Sequence, residues 1–518
     1  MDKPGLMYYN DARHYLMYRY DPPMSLHQLR QPVDELLGTG VDTLVFGLAS
    51  GHTFLHDTKV GLRWGEGMTE HGHGIMWWRA AKNLERALAD GLDPLKIVID
   101  RAHEKGLKVI CSLRINEGSM PDDGPYMAGK LKYGRPDLLI GDEAADMPGI
   151  ASAYDFAKEE VRAERLAVIE EVVDRYGADG IEIDEYIRAY FKPSEVEKNT
   201  PVLTQFMGDV RKLLDRIGAK RGEKLLVTAR VHHNEQVNLA AGADVRAWLG
   251  EGFVDMVIPT GGGLERWLFD TNPYGEWMIE ATHAAGAWAY SPLGRIPYDD
   301  RYHEPTVDMY RAAAGTYRAT GFDGLYMEGL PWPHTENEYL ILRELGDADI
   351  YARKAKHYIL APQVGDDEHA LVRHLPVNLE EGKTVTAPIF VGDALDSARA
   401  DSELEQLTLL VRIVQTGMED KISFSLNGRD LSIDAAKVRT FYGGTVSYSA
   451  ARTGLPDRIN THYWFEWDLA LDLVREGENR LDVRLDYRLK ERVEDRVLQS
   501  IELRIGYKAP PLTTGGQM

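Results

Sequence analysis

Four carboxylates and two guanidiniums stand at the ends of short apolar runs in this sequence. Asp11 closes LMYYND, Asp184 and Glu185 close GIEIDE, and Glu328 closes GLYME, while Arg114 and Arg230 end KVICSLR and LVTAR. Two acidic groups facing each other across a bond can divide labour. One donates a proton and the other acts as nucleophile or activates water, which is the chemistry of glycosidic hydrolysis. Arginine offers a planar fork that matches a carboxylate. Two arginines at one rim have two readings: they bind a uronic or sialic acid, or they hold the catalytic carboxylates ionised. The catalytic candidates are Asp11, Asp184, Glu185 and Glu328. The substrate-binding candidates are Arg114, Asn116, Glu117, Arg230, His232, Tyr186 and Trp332. Trp77, Trp78, Tyr8 and Tyr9 add aromatic faces suited to sugar C–H surfaces.

Such residues meet only if the elements carrying them converge. From Gly5 to about Gly346 short apolar runs alternate with amphipathic helical stretches. Eight strands are predicted at Leu6–Tyr9, Thr43–Leu48, Lys108–Leu113, Gly180–Ile183, Leu225–Ala229, Asp255–Pro259, Ala287–Tyr290 and Gly324–Met327. The clearest helix is KEEVRAERLAVIEEVVDRY, residues 158–176, whose Val161, Leu166, Ile169, Val172 and Val173 recur at helical spacing. Gly106, Gly177, Gly286 and Gly321 each precede a strand as helix stops. Eight strand–helix pairs predict a closed (β/α)₈ barrel, an α/β fold whose chemistry sits at the C-terminal ends of the strands. No G-x-G-x-x-G follows the first strand, which argues against a dinucleotide fold. Long connections at about 49–90 and 116–155 are expected to shape the mouth.

Strand side chains alternate between two faces. With Ile181 and Ile183 packed on helices, Glu182 and Asp184 point inward. By the same parity Ile110, Ser112, Arg114 and Asn116 share a face, as do Thr228, Arg230 and His232, and Tyr326 and Glu328. Buried charges at such a rim must be paired or functional.

After Gly346 the pattern changes to short alternating strands such as LTLLVRIVQ and NRLDVRLDYRL, with a hairpin signal at Asn427–Gly428. The domains read as a barrel over 1–346, a linker over 347–365, an antiparallel β-sandwich over 366–510 and a disordered tail over 511–518. The formal net charge of −22 over 518 residues repels phosphate backbones and anionic membranes, so the expected partner is a carbohydrate, not nucleic acid or membrane. A homo-oligomer is compatible with the pattern. The lone Cys111 admits neither an internal disulfide nor a multi-cysteine zinc site. No leader and no run of about 18 apolar residues is visible, so the chain reads as cytoplasmic unless a leader has been removed.

Residues 161–186, VRAERLAVIEEVVDRYGADGIEIDEY, resemble the fourth-strand signature of glycosyl-hydrolase-like barrels, a helix leading into D-G-I-x-x-D-x-Y. NDARHY at 10–15, SLRIN at 112–116 and ARV at 229–231 are similar to motifs of inverting exo-sialidases of the (β/α)₈ type. The resemblance spans about residues 5–346. It implies Asp11 as general base and Arg114 and Arg230 as ligands of a substrate carboxylate. The chain departs from that family at two places. The family's histidine after the third-strand asparagine is missing from Asn116, Glu117, Gly118 and Ser119. The family's asparagine after strand eight is Glu328 here. Glu117, Glu328 or His232 would then supply the missing acid.

Two other classes compete with a glycosidase that uses no metal or organic cofactor. A metal-dependent hydrolase would draw on His52, His56, His71, His73, His232 and His233, but the H-x-H pair at 71–73 lies in a loop and not at a strand end. A non-catalytic carbohydrate-binding or scaffold protein would use the same fold without turnover.

Overall fold

The computed structural model describes the chain apart from residues 1–2, 51, 73, 119–125, 127–128, 130, 132–134, 186–188, 262–268, 297–301, 303, 361–373, 445–458 and 509–518. Chain contacts separate two units. The first holds Met1–Arg266, Gly275–Pro292 and Phe322–Gly346, and the second holds Trp267–Tyr274, Leu293–Gly321 and Asp347–Met518. The last segment of the first unit ends at Gly346, and the last segment of the second begins at Asp347. Two earlier segments, one containing the helix Val307–Ala319, group with the C-terminal residues.

The first unit is a closed parallel barrel. Its strands are β1 (Leu6–Asn10), β2 (Thr43–Gly47), β3 (Lys108–Arg114), β4 (Gly180–Asp184), β5 (Leu226–His232), β6 (Met256–Thr260), β7 (Trp288–Leu293) and β8 (Gly324–Met327). They run in order β1-β8-β7-β6-β5-β4-β3-β2 around the ring. All eight predicted strands are present within a few residues of their expected ends. Inward positions build one apolar plug of Met7, Tyr9, Val45, Ile110, Leu226, Met256, Ile258, Tyr290 and Tyr326, the packed interior of such a barrel. The strand register sets Arg114 beside Asp184, and Asp184 beside Arg230. Two rungs lower it sets Ser112 beside Glu182, and Glu182 beside Thr228. Inward parity thus delivers charge to the top of a ring whose base is apolar.

The helix after residue 158 spans Glu159–Glu170 and continues as a π turn over Glu171–Arg175. Glu171 in that turn is tied to the segment before it in space, accepting from the Thr58 hydroxyl and the Lys59 N–H at 2.7 Å each. The connection at 49–90 is not all loop. It contains three two-residue strands and the helix Ile75–Ala89, which buries Ala80, Ala81, Leu84 and Ala87.

The second unit contains an antiparallel sandwich. One sheet runs β9 (Lys356–Leu360), β18 (Arg496–Tyr507), β12 (Leu404–Val414), β16 (Ile459–Asp468) and β15 (Lys437–Gly444), with β10 (Val377–Leu379) also on β18. The other runs β11 (Thr384–Val391), β17 (Gly477–Tyr487), β13 (Lys421–Leu426) and β14 (Arg429–Leu431). Asn427 and Gly428, at φ 53° and 78°, turn the β13–β14 hairpin as expected. The predicted linker is structured where described, since Lys356–Leu360 is a ladder strand against β18. The predicted tail lies outside the described residues. Among the described residues no helix is long and apolar enough to cross a membrane.

Candidate functional site

The centre of the barrel top is Arg230, on an inward position near the end of β5 and fully buried. Its Nη2 donates to Asp184 Oδ2 at 2.6 Å, and its Nη1 donates to both oxygens of Glu328 at 2.8 and 3.0 Å. Its Nε lies 3.6 Å from Glu182 Oε1. The guanidinium also sits over the rings of Tyr9 and Tyr326, at 4.5 and 5.4 Å from their centroids. Carboxylates from β4 and from the end of β8 thus converge on one cation. Burial works against the charge on Arg230, but Asp184 and Glu328 outweigh it and raise the pKa well above its ordinary value.

Glu182 occupies the rung below. Its Oε1 accepts from Ser112 at 2.6 Å and from Tyr326 at 3.2 Å. Burial pushes its carboxyl above the usual range; Arg230 opposes this, and Asp184 and Glu328 add to it. Among the described residues its Oε2 has no hydrogen-bond partner.

A second group forms on the turn after β1. Asp11 Oδ1 accepts the backbone N–H of His14 at 2.7 Å and of Tyr15 at 3.4 Å, and Oδ2 pairs with His14 Nδ1. Burial alone would raise the Asp11 carboxyl. His14 foremost, then Arg13 and Arg114, overcome that and hold it well below the carboxylate range. Arg114 donates to Glu117 Oε1 at 3.0 Å. The turn needs Gly47 beside it, at the end of β2. A Cβ there would stand 2.9 Å from Asp11 Cα and 3.0 Å from its carbonyl carbon and oxygen. Backbone atoms cannot step aside as a side-chain tip can. Gly47→Ala is therefore expected to cost about 1–3 kcal/mol and to shift the Asp11 turn, as read by urea unfolding and by the His14 imidazole resonances.

Several expected ligands do other work. Asn116 is fully buried and clamps two loops. Its amide donates to the carbonyls of Tyr154 (2.9 Å) and Ala189 (2.7 Å), and its oxygen accepts from Tyr154 N–H at 3.1 Å. These three bonds hold the two loops together. Asn116→Ala is expected to lower stability by about 1–3 kcal/mol while leaving KM unchanged; a raised KM at unchanged stability would restore the ligand reading. Trp332 lies under Arg19, 4.5 Å from the ring centroid, with Tyr20 edge-on at 5.9 Å, and does not join the Arg230 group. Tyr8 points to the helix layer, where Leu330 N–H and His334 meet its hydroxyl. Trp77 packs with Trp64 and Tyr126 in an aromatic cluster, with ring centroids 5.2 and 5.0 Å away.

His232 is buried at the end of β5. Its Nδ1 accepts from Asn234 N–H at 2.9 Å, which leaves Nε2 as the protonated nitrogen of the neutral ring. Glu185 is buried one residue past β4, its N–H bonded to the Arg230 carbonyl at 3.1 Å. The Glu117 carbonyl accepts from His52 Nε2 at 2.6 Å. His56 faces Glu171 and His71 faces the Tyr126 hydroxyl. Tyr186 and His73 lie outside the described residues. Glu182, Ser112, Tyr326 and His14 join the site without having been catalytic or substrate-binding candidates. Strand parity carried a signal for the first three, whereas His14 carried none beyond its spacing from Asp11.

No protein-family model matches the chain. Over 179 residues, 32% of this chain, it is 24% identical to glycosyl hydrolase DigH of Escherichia coli K12. That stretch is 36% of DigH, so the chain spans about a third of the relative's length. The same figures hold for DigH of Shigella flexneri. Among solved structures, alpha-L-fucosidase isoenzyme 2 from Paenibacillus thiaminolyticus gives a TM-score of 0.43 at 14% identity, covering 68% of this chain and 51% of that one. The noncanonic maltogenic alpha-amylase AmyB from Thermotoga neapolitana gives 0.39 at 11% identity, covering 93% and 99%.

Proposed function

We propose that this chain is a glycoside hydrolase whose chemistry is done at the C-terminal end of the barrel strands by Asp184 and Glu328. The observation that carries the reading is their convergence, from opposite stretches of sequence, on one buried guanidinium. Glycosyl transfer to water needs carboxylates fixed this way around one bond. The partial likeness to a glycosyl hydrolase over a third of the chain supports the same class.

The arrangement favours a neutral sugar over a uronic or sialic acid. Arg230 is held by three carboxylates, so its guanidinium presents no open fork to a substrate carboxylate, and Arg114 already donates to Glu117. A carboxylate fixed beside the anomeric carbon can bond to it directly, which favours a retaining course of two displacements over an inverting one. The test is a panel of chromogenic glycosides that includes neutral hexosides, sialosides and uronides. Product anomers are to be read by proton NMR in the first minutes. Turnover confined to sialosides, or an inverted first product, would overturn these finer readings. No turnover on any glycoside would overturn the class.

A further inference from the structure

The residues gathered on Arg230 lack an accessible proton donor. Both oxygens of Glu328 and one oxygen of Asp184 accept from a guanidinium, which has only donors to offer. Glu182 sits below them, fully buried and bonded to Ser112 and Tyr326. Asp11 is no donor either, because Oδ1 takes two backbone N–H groups and Oδ2 faces an imidazole.

That imidazole is the exposed member of the group. His14 has a side chain 46% open to solvent, while Asp11 beneath it is 5% open. Its Nδ1 is fixed on Asp11, and Tyr18 packs edge-on against the ring at 5.3 Å. Nε2 is then on the far side of the ring from Asp11. Arg13, from the same turn, and Arg114, from β3, are the cations facing the Asp11 carboxylate. A carboxylate behind one ring nitrogen fixes the imidazole's orientation and leaves the other nitrogen to exchange a proton with a substrate.

We infer that His14 is the general acid of the proposed hydrolysis and that Asp11 is its positioning residue. The inference rests on the glycosidase reading above. As the glycosidic C–O bond breaks, its electron pair passes to the leaving oxygen, which takes the proton from His14 Nε2, while a carboxylate oxygen of Asp184 bonds to the anomeric carbon. Water then bonds through oxygen to that carbon, the carboxylate leaves with its electron pair, and the water returns a proton to Nε2. The imidazole is restored, and one water has been consumed for one bond cleaved.

The experiment uses the full chain and aryl glycosides of one sugar that the wild type turns over. Dinitrophenolate leaves without protonation, whereas phenolate needs it. His14→Gln is expected to lose about 10²–10⁴ in kcat on the phenyl glycoside and under about tenfold on the dinitrophenyl one. His14→Ala should regain phenyl glycoside turnover when imidazole is added. Asp11→Asn should follow the same leaving-group pattern with a smaller loss. Equal losses on both leaving groups would overturn the assignment, as would wild-type rates in His14→Gln. Those results leave the glycosidase reading standing, whereas a wild type inert to every glycoside overturns that reading and this one with it.

Discussion

Arg230→Met is expected to destabilise the barrel by about 3–5 kcal/mol at pH 7.5, because it leaves carboxylates buried without their cation. Methionine keeps much of the side chain's volume, so the loss reports charge and not a cavity. The guanidinium makes bonds at 2.6–3.0 Å to Asp184 and Glu328 and lies near Glu182, and all four residues are buried. The pH dependence follows from Glu182. Burial already raises its pKa in the folded chain, and Arg230 is the group opposing that rise. Without Arg230 the folded value climbs further. A raised carboxyl contributes stability in full below its unfolded pKa, and that contribution is lost as pH rises through the folded pKa. The variant's deficit should therefore be smallest near pH 4.5 and grow toward pH 7.5. Urea unfolding at both pH values measures it. A deficit below about 1 kcal/mol at pH 7.5 would place the carboxylates in a more solvated setting than the one described.

The barrel was legible because its signals are local. Each strand is a short apolar run bounded by a helix stop, and period-two parity turns Ile181 and Ile183 to the helices and Glu182 and Asp184 inward. The same parity brought Arg114, Asp184 and Arg230 to one level of the ring. What parity could not supply was the partner each side chain chooses. An arginine aimed at a rim serves a substrate or a neighbouring carboxylate equally well in a sequence, and Arg230 chooses Glu328, 98 positions away. Asn116 is polar and inward, yet two backbone carbonyls far along the chain take its amide. The strand Lys356–Leu360 was read as linker because its partner, β18, begins at Arg496, and no nearby run announces the pairing. Likewise His14 is one of many loop histidines until the turn after β1 folds it back onto Asp11.

The largest effect on turnover should come from removing charge at Asp184 and Glu328 while keeping shape. Asp184→Asn and Glu328→Gln preserve volume and leave Arg230 with other acceptors, so each variant should fold with a modest loss of stability. The carboxylate that attacks the anomeric carbon or activates water should lose about 10³–10⁵ in kcat when replaced by its amide, since an amide supplies neither nucleophile nor base. The carboxylate that only holds Arg230 should lose far less, because a neutral oxygen can still accept a guanidinium N–H. Small anions such as azide can fill the role of a missing nucleophile. Azide rescue of one variant and not the other would therefore identify the reacting group. Both oxygens of Glu328 are engaged by Arg230, whereas Asp184 meets it through Oδ2 alone. On that geometry Asp184→Asn should show the larger loss and the rescue. Equal, small losses in both variants would move the chemistry away from Arg230 altogether, toward Glu185 or the Asp11 turn.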